Sequence, residues 1–349
     1  MSMRIVITGG AGFLGSHLSE TLVARGHEVV AVDNLVTGRR ANVTQLEASG
    51  RFELIEHDVT EPFDVDGDVD GILHFASAAS PVDYLKLPIE TLRVGSQGTQ
   101  NALELAARKG ARLVFASTSE VYGDPQVHPQ PETYWGHVNP VGPRGVYDEA
   151  KRYAEALVLA YREARGVDAG IVRIFNTFGP RMRPNDGRAI PNFVRQALAG
   201  EPVTVSGDGE QTRSICYVDD LVAGILAMLL DTHDPGPVNI GNPHEISMRD
   251  LAQWIIELAG SSSTLEFIER PTDDPTVRRP DTTKAQRLLG WSPQVPVETG
   301  LQRTIEWFRT EAASGPERSS TADADLARGR SCRRYSRDAP FRQVCGRRG

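Results

Sequence analysis

Residues 8–15 read T-G-G-A-G-F-L-G, and the fold of the chain is decided by this glycine-rich stretch. Two spacings overlap in it: Gly10, Gly12 and Gly15 satisfy G-x-G-x-x-G, while Gly9, Gly12 and Gly15 satisfy G-x-x-G-x-x-G. Glycine permits a tight turn, lets backbone N–H groups approach a pyrophosphate, and lets a helix pack closely on a strand. The stretch therefore predicts a strand, a turn and a helix whose N-terminus faces phosphate groups.

The surroundings of the turn indicate which dinucleotide it would hold. An acid, Asp33, ends the next apolar run at residues 28–33. Such an acid accepts hydrogen bonds from an adenosine ribose and repels a 2′-phosphate, which favours NAD over NADP, although Arg39 and Arg40 soften that preference. The alternative is a turn without a ligand, in which Asp33 only caps the strand. The predicted cofactor-binding residues of this region are Gly9, Gly12, Phe13, Leu14, Gly15, Asp33, Asn34, Asp58 and Val59.

Strand and helix patterns alternate through the first half of the chain. Short β-branched runs predict strands at 4–8, 28–33, 52–57, 71–75, 112–116 and 169–174, and helical patterns lie at 12–25, 99–109 and 147–165. This order predicts an α/β fold, a Rossmann-like doubly wound parallel sheet with helices on both faces. Asp58 closes the third strand, where it would hydrogen-bond the adenine or remain an exposed loop acid.

The regular alternation of strand and helix patterns ends after about residue 175. Turn-forming segments follow at 179–181 and 206–209, and helical patterns return at 221–230, 248–259 and 299–310. We expect residues 1–175 to form an NAD-binding domain and residues 176–314 mainly a smaller, partly interleaved substrate-binding domain. Residues 315–349 are rich in Ser, Ala and Arg without periodicity, which predicts a disordered tail.

The composition is that of an ordinary globular protein: of 349 residues, 40% are hydrophobic and 24% charged. The formal net charge of −8 argues against a nucleic-acid partner, which requires a basic face. The three cysteines, Cys216, Cys332 and Cys345, have no C-x-x-C spacing, so neither a metal site nor a disulfide framework is predicted. The start shows no signal-peptide pattern, and no apolar run approaches the roughly 20 residues of a membrane span. We therefore expect a cytoplasmic protein without a membrane partner.

Three side chains form a candidate catalytic group. Tyr147 and Lys151 stand at i and i+4 on one face of a predicted helix, and Thr118 follows the fifth strand, at the edge of the sheet where ligands bind. A free tyrosine has a pKa of about 10, so service as a base near neutrality needs a depression of roughly 3 units. We expect the charge of Lys151 to supply part of it. Together the three groups can accept the proton of an alcohol while its hydride goes to the cofactor; a surface helix with an incidental pair is the alternative.

These motifs resemble the extended short-chain dehydrogenase/reductases that modify nucleotide sugars. More narrowly, three stretches resemble UDP-glucuronate decarboxylases: residues 117–125 (S-T-S-E-V-Y-G-D-P), 134–140 (Y-W-G-H-V-N-P) and 173–182 (R-I-F-N-T-F-G-P-R-M). Q-T-R at 211–213 and V-R-R-P-D at 277–281 agree as well. The resemblance covers roughly residues 4–310. The glycine and Tyr/Lys motifs indicate only the superfamily. The Ser-Glu pair after Thr118 and the Tyr-Trp-Gly-His stretch are the more specific evidence for the resemblance to decarboxylases.

The resemblance implies NAD as cofactor and UDP-glucuronate as substrate. Oxidation at C4 would make a ketone β to the C6 carboxylate, carbon dioxide would leave, and the returning hydride would give UDP-xylose without net oxidation. It implies that Glu120 and Arg278 act around decarboxylation and reprotonation. The implied catalytic residues are Thr118, Glu120, Tyr147, Lys151 and Arg278, with Tyr147 and Lys151 also touching the cofactor. The implied substrate-binding residues are Ser119, Glu120, Asn176, Arg181, Arg213 and Arg278; for each arginine a surface charge or structural ion pair is the alternative.

Other functions stay open at this point. A 4-epimerase or 4,6-dehydratase of the same family is the nearest rival, and Ser119, where dehydratases usually carry aspartate, argues against the second. A non-catalytic NAD(H)-binding sensor is kept open by Gly95, which stands where many relatives have asparagine. The resemblance also implies a homodimer that pairs the helix carrying Tyr147. The residues that would suit that pairing, or the core of a monomer, are Ala150, Ala154, Leu157 and Val158.

Overall fold

The computed structural model describes residues 2–313, and strands alternate with helices through its first half. The strands of these residues are, in chain order, β1 (Arg4–Thr8), β2 (Glu28–Asp33), β3 (Phe52–Glu56), β4 (Gly71–His74), β5 (Arg112–Thr118), β6 (Ala169–Ile174), β7 (Thr177–Phe178), β8 (Val203–Ser206), β9 (Thr212–Ser214), β10 (Cys216–Tyr217), β11 (Val238–Ile240), β12 (Glu245–Ser247) and β13 (Leu265–Ile268). The helices are α1 (Phe13–Ala24), α2 (Thr44–Glu47), α3 (Pro81–Lys86), α4 (Pro88–Arg93), α5 (Thr99–Lys109), α6 (Gly145–Arg165), α7 (Ala189–Ala199), α8 (Val218–Leu230), α9 (Met248–Ala259), α10 (Thr283–Leu289) and α11 (Val297–Ala313).

Seven parallel strands form the main sheet, in the order β11-β6-β5-β4-β1-β2-β3. The strand order reverses between β1 and β4, because β2 and β3 lie on one side of β1 and the later strands on the other. A crevice opens at such a switch point beyond the carboxyl ends of the strands, and ligands bind there in doubly wound folds. The predicted doubly wound parallel sheet is confirmed.

Helices cover both faces of the sheet, and the alternation of side chains along β1 shows why. Ile5 and Ile7 belong to the apolar core on one face, together with Leu22 of α1 and helix α8. Val6 belongs to the core on the other face, together with Val158 of α6 and helix α5. Residues one apart on a strand point to opposite faces, so a buried parallel strand is apolar at every position.

The face of α6 turned toward the sheet includes residues that also suited a dimer contact. Ala150, Ala154 and Val158 are all buried in the protomer, the last two completely. Leu157 is partly buried against the same core. Of the two interpretations of this face, the core of the protomer is the one the structure supports.

The second half of the chain builds smaller sheets and adds one strand to the large one. Strands β8 and β13 pair in parallel, β9 and β12 antiparallel, and β7 and β10 in parallel. Strand β11 extends the main sheet beside β6. The described residues up to Arg309 form one compact unit. The boundary near residue 175 stays a prediction, and the predicted disordered tail, 315–349, lies outside the described residues.

A π-helical turn, Val94–Gly98, joins α4 to α5 and contains Gly95. Gly95 packs directly on α6: a Cβ placed on it would lie 2.7 Å from the Cβ of Ala150 and 2.9 Å from the carbonyl oxygen of Ala150. The absence of a side chain at position 95 therefore lets α6 approach this turn closely.

Candidate active site

One cleft of about 760 Å³ runs along the carboxyl ends of the central strands. This is within the range of about 300–1,000 Å³ that small-molecule sites usually enclose. Every residue that the sequence predicted for the site lines this cleft. The glycine turn lies in it together with the group Thr118, Tyr147 and Lys151, and the lining extends to arginines from the second half of the chain. The roles of these residues remain predictions, whereas their convergence on one cavity is a property of the structure.

The glycine turn has the shape that a pyrophosphate requires. Gly9 has φ +71°, a left-handed conformation that side chains disfavour, and a Cβ there would lie 2.8 Å from the backbone nitrogen of Ala76. A Cβ on Gly15 would overlap the carbonyl oxygen of Gly9. Helix α1 follows Gly12, without a side-chain cap and without an acid in its first turn. Its N-terminal N–H groups and partial positive charge are therefore free of competing anions, and the turn fits a dinucleotide.

Acidic and amide side chains follow β2 and β3 at the same edge. Asp33 is 7% exposed, and its carboxylate accepts hydrogen bonds from the backbone N–H of Ala11 (3.0 Å) and of Leu35 (2.8 Å). Burial raises the pKa of Asp33. Asn34 donates to Asp58 at 3.2 Å. Asp33 thus joins the glycine turn to the loop after β2, and because a carboxylate has about four acceptor positions, it can still accept bonds from a ribose.

Thr118, Tyr147 and Lys151 meet beyond the end of β5. The strand runs to Thr118 rather than to Ala116, so the threonine is its last residue. The hydroxyls of Thr118 and Tyr147 are hydrogen-bonded to each other. Lys151 donates from Nζ to the carbonyl of Ala116 at 2.8 Å, and Nζ lies 5.8 Å from the centre of the Tyr147 ring. The i, i+4 spacing does place tyrosine and lysine on one face of α6.

The pKa shifts of Tyr147 and Lys151 differ from those expected from the sequence. Burial raises the pKa of Tyr147, and the negative charge of Glu120 raises it further, while the bond to Thr118 works in the opposite direction. Burial also lowers the pKa of Lys151 to about 7. From the sequence, the charge of Lys151 is expected to lower the pKa of Tyr147. Within the protein the effect of burial is larger, because both groups are removed from water.

A cluster of charged side chains surrounds Glu120 in the turn that follows β5. Its Oε2 accepts a hydrogen bond from Nη2 of Arg144, and its Oε1 lies 3.3 Å from Nη1 of Arg278. Arg278 is only 4% exposed, and its Nε has no hydrogen-bond partner among residues 2–313. Burial alone would raise the pKa of Glu120, and the two guanidinium groups outweigh it, so this pKa lies below its usual range. A buried and a partly buried guanidinium group beside the cleft, those of Arg278 and Arg144, are suited to an anionic ligand.

The remaining predicted residues line the cleft with contacts of their own. Arg213 donates to both oxygens of Asp274, at 3.0 and 3.1 Å. Arg181 pairs with Glu20 of α1, and its Nη1 is buried without a partner among the described residues. Asn176 lies beyond β6 and its backbone carbonyl accepts from the N–H of Cys216 at 2.9 Å. Ser119 is 2% exposed.

Three residues near the predicted catalytic group were missed from the sequence. Tyr84 of α3 stacks on Tyr147, with ring centres 5.2 Å apart and planes 10° from parallel. Arg144 precedes α6 and donates to Glu120. Asp148 follows Tyr147, and burial and then the charge of Glu120 raise its pKa. Positions 144, 147, 148 and 151 have the i, i+3, i+4, i+7 spacing of one helix face, which was an available signal. The stacking of Tyr84 has no counterpart in local sequence.

A doubly wound sheet whose cleft begins at a glycine turn and a helix N-terminus is typical of enzymes that use a dinucleotide. The sequence profile of the NAD dependent epimerase/dehydratase family matches residues 5–241. This chain belongs to that family and is NAD-dependent.

Individual relatives narrow the comparison. UDP-glucuronic acid decarboxylase 1 of Xenopus tropicalis is 55% identical over 308 residues, which are 88% of this chain and 72% of that protein. UDP-glucuronic acid decarboxylase 5 of Arabidopsis thaliana is 50% identical over 309 residues, 88% of this chain and 90% of that protein. Among solved structures, UDP-glucuronic acid 4-epimerase from Bacillus cereus, in complex with UDP-glucuronic acid and NAD, superposes with a TM-score of 0.79 at 28% identity, covering 88% of this chain and 100% of the other.

Among residues 2–313, no helix is both long enough and apolar enough to cross a membrane.

Proposed function

We propose that this chain decarboxylates UDP-glucuronate to UDP-xylose and carbon dioxide. The observation that carries the proposal is a pair of guanidinium groups, the buried Arg278 and the partly buried Arg144, which are held at Glu120 in the same cleft as Tyr147. A carboxylate on the sugar is the ligand that such a pair recognises. The 55% identity to a UDP-glucuronic acid decarboxylase supports the same substrate.

The glycine turn with Gly9, Gly12 and Gly15 would hold the pyrophosphate of NAD, and Asp33 its adenosine ribose. NAD, when bound, supplies a group that takes a hydride from C4 of the sugar and returns it, and its positive charge in the oxidised form favours a tyrosinate. Because the hydride goes back to the carbon that it left, the reaction causes no net oxidation.

Tyr147 is the proposed base for the C4 hydroxyl. Its phenolic oxygen accepts the proton, and the Thr118 hydroxyl, which is hydrogen-bonded to that oxygen, stabilises its negative form. The Oγ1 of Thr118 accepts a hydrogen bond from the N–H of Glu120 at 3.2 Å. Its hydroxyl proton can therefore be donated to the oxygen of Tyr147. Lys151 favours the phenolate in its own charged form, and its bond to Ala116 keeps it beside the ring.

Decarboxylation follows from the position of the new ketone. C4 is then β to the C6 carboxylate, so carbon dioxide can leave as the C5–C6 electron pair forms an enolate. The hydroxyls of Tyr147 and Thr118 stabilise the enolate oxygen, and Arg278 orients the carboxylate before it leaves. A proton must then be added at C5 before C4 is reduced again. Asn176, Arg181, Arg213 and Ser119 are proposed to hold the rest of the nucleotide sugar.

We also propose a homodimer, on the basis of exposed apolar side chains on two packed helices. Ile89 and Leu92 of α4 are 62% and 38% exposed, and Tyr153 and Leu159 of α6 are 52% and 42% exposed. These residues, rather than the buried Ala150, Ala154 and Val158, are available for pairing. Light scattering during gel filtration measures the oligomeric state.

A cytoplasmic location stays a prediction, which cell fractionation checks.

A panel of nucleotide sugars tests the function. The purified protein with NAD is incubated with UDP-glucuronate, UDP-glucose or TDP-glucose, and the products are analysed by mass spectrometry, with Tyr147→Phe as the inactive control. UDP-glucuronate is expected to lose carbon dioxide, and the other two sugars to remain unchanged, since neither carries a carboxylate. Loss of water from TDP-glucose, or inversion at C4 without loss of carbon dioxide, would identify a dehydratase or an epimerase of the same family instead.

A further inference from the structure

A carboxylate of α6, that of Glu155, is hydrogen-bonded to the strand that ends at Thr118. Glu155 follows Lys151 by four residues, so it continues the helix face on which Tyr147 and Lys151 lie. Its Oε1 accepts a hydrogen bond of 2.6 Å from the hydroxyl of Ser117, the residue immediately before Thr118 in β5. Ser117 is buried, and the side chain of Glu155 is 13% exposed. The mechanism proposed above uses neither of them.

Arg173 of β6 fixes the orientation of this carboxylate. Its Nε donates to Oε1 of Glu155 at 2.9 Å and its Nη2 donates to Oε2 at 2.8 Å, so the two side chains form an ion pair with two parallel hydrogen bonds. Such a pair holds both planar groups in one orientation. Arg173 and Ser117 are also neighbours in the register of β6 and β5. The pair therefore joins α6 to two adjacent strands near their carboxyl ends.

The third nitrogen of Arg173 extends the network to the turn that carries Glu120. Its Nη1 donates to the hydroxyl of Tyr122 at 2.9 Å, and that hydroxyl donates to Asn239 of β11 at 2.8 Å. Tyr122 is buried and ends the short turn that follows Thr118. The network thus holds the chain on both sides of Thr118.

The ion pair lies behind the wall of the cleft. Ser117 is among the residues that line the cleft, whereas Glu155 and Arg173 are not. Stability alone gives little reason for a charged pair at this place, since apolar side chains of similar volume often stabilise a protein as well as a buried ion pair does. A fixed orientation is what the charged pair adds, and that orientation is transmitted to the residue next to Thr118.

We propose that Glu155 is a positioning residue of this active site: through Ser117 it holds the hydroxyl of Thr118 at the oxygen of the tyrosine. This inference rests on the function proposed above, in which Thr118 and Tyr147 act on the C4 hydroxyl. Without the carboxylate, Ser117 loses its acceptor and Arg173 its partner, so α6 and β5 can shift relative to each other. The hydrogen bond between the two reacting hydroxyls is then formed less often, and oxidation at C4 slows.

Ser117→Ala and Glu155→Gln test the two ends of this contact. Ser117→Ala leaves the ion pair intact, so kcat for UDP-glucuronate should fall on the order of 10-fold, less than the roughly 10²-fold cost of a displacement by about 1 Å, with KM and NAD affinity unchanged. Glu155→Gln removes the charge opposite Arg173 and should lower kcat further. Glu104→Gln is the matched control and should keep the wild-type kcat, because Glu104 accepts from one hydroxyl and one guanidinium group near the C-terminal end of α6, away from the cleft. A Ser117→Ala enzyme with wild-type kcat overturns the proposal.

The pH profile distinguishes positioning from a general loss of stability. The hydrogen bond to Thr118 lowers the pKa of Tyr147, against the larger effect of burial. A base acts only after losing its proton, so a weaker bond should move the acidic limb of the kcat–pH profile of Ser117→Ala to higher pH. The profile is measured at a temperature at which circular dichroism shows the variant to be folded. A lower kcat with an unmoved limb contradicts the proposed path through Thr118.

A double variant keeps the test decisive if Glu155→Gln does not fold. Glu155→Met with Arg173→Met replaces the ion pair by apolar side chains, which often preserves stability. Its kcat should stay low even with wild-type Tm, because Ser117 and Tyr122 have lost their partners. Recovery of both Tm and kcat would show that the pair is purely structural and would overturn the proposal.

The first turnover separates this inference from the proposed function. Formation of bound NADH, followed by stopped-flow absorbance, reports oxidation at C4 and should be slower in Ser117→Ala than in the wild-type protein. Epimerisation at C4 also begins with that oxidation. If the wild-type protein inverts C4 without releasing carbon dioxide, the proposed function fails, while slower formation of NADH in Ser117→Ala still supports the positioning role.

Discussion

Gly95 packs directly on α6, and we expect Gly95→Ala to destabilise the protein although alanine favours helices. The new Cβ would lie 2.7 Å from the Cβ of Ala150 and 2.9 Å from its carbonyl oxygen. Carbon atoms normally pack at about 3.5–4.0 Å. Neither neighbour is the far end of a flexible side chain, so α6 itself has to move.

The expected change in the free energy of unfolding of Gly95→Ala follows from two opposing effects. Overpacking of a tight contact costs about 1–3 kcal/mol, and a clash with a backbone atom belongs at the upper end. Replacing glycine by alanine within a helix returns about 0.5–1 kcal/mol. The net loss is therefore about 2 kcal/mol, and Gly95→Asn, with a larger side chain and a weaker helix preference, should lose more.

The movement of α6 also predicts an effect on activity. Ala150 immediately precedes Lys151 and lies three residues after Tyr147, so a shift that relieves the contact displaces both groups. Misplacement of a catalytic group by about 1 Å can cost on the order of 10²-fold in rate. We expect a lower kcat in Gly95→Ala without a matching loss of NAD affinity, since the glycine turn is elsewhere in the cleft.

Thermal unfolding and steady-state kinetics measure the two effects. Ala150→Gly added to Gly95→Ala removes the contact with the Cβ but leaves the carbonyl contact, so the double variant should recover part of the lost Tm. Gln97→Ala, an exposed change on the same turn, is the control. A Gly95→Ala protein with wild-type Tm and kcat would refute the argument that position 95 has no room for a side chain.

Three further substitutions test the proposed roles. Tyr147→Phe should bind NAD normally and lose at least roughly 10²-fold in kcat, checked by fluorescence titration and product assay. Arg278→Met should raise KM for UDP-glucuronate and lower the yield of carbon dioxide, with NAD affinity unchanged; an equal loss of NAD affinity would place Arg278 elsewhere. Asp33→Ala should weaken NAD binding and narrow the preference for NAD over NADP, because it removes both a ribose acceptor and the acceptor for the N–H groups of Ala11 and Leu35. Retained discrimination in a titration with both cofactors would contradict the role of Asp33.

Local signals were sufficient for the main sheet but not for the elements that complete it. The six predicted strands are each longer than three residues and rich in apolar residues, so their pattern can be recognised in the sequence. Strand β11, Val238–Ile240, has three residues and joins the sheet beside β6 only through tertiary packing. The short helices α3 and α4 begin at Pro81 and Pro88. Six residues each are too few to show a helical period.

The site could be predicted to the extent that its members lie on motifs. The i, i+4 spacing of Tyr147 and Lys151 fixes their common face, and the glycine turn fixes the other end of the cleft. The direction in which the pKa values of the site residues shift could not be predicted in the same way. These shifts depend on burial and on charged residues that are distant in the sequence. Arg144 lowers the pKa of Glu120 most, and Arg278 lowers it further. Arg278 lies 158 residues from Glu120 along the chain and 3.3 Å from it in space.

From the proposed roles of these residues, we expect the charges around Glu120 to contribute both to substrate binding and to product release. Burial and the charge of Glu120 raise the pKa of Asp148 to about 8, so Asp148 is mostly neutral near pH 7. Arg144, Arg278 and Glu120 then leave one net positive charge, which the carboxylate of UDP-glucuronate would balance. Two opposite charges about 4 Å apart interact by about 4 kcal/mol near a protein surface, so this attraction is a sizeable part of the affinity. Loss of carbon dioxide removes the charge of the substrate carboxylate and leaves the positive charge unbalanced, so we expect UDP-xylose to be held less tightly than UDP-glucuronate. The same arrangement is thus expected to select a carboxylated sugar and to favour release of the sugar that has lost its carboxylate. The test is the affinity of Arg278→Met for the two nucleotide sugars, because the variant should bind UDP-glucuronate more weakly and UDP-xylose about as tightly as the wild-type protein does.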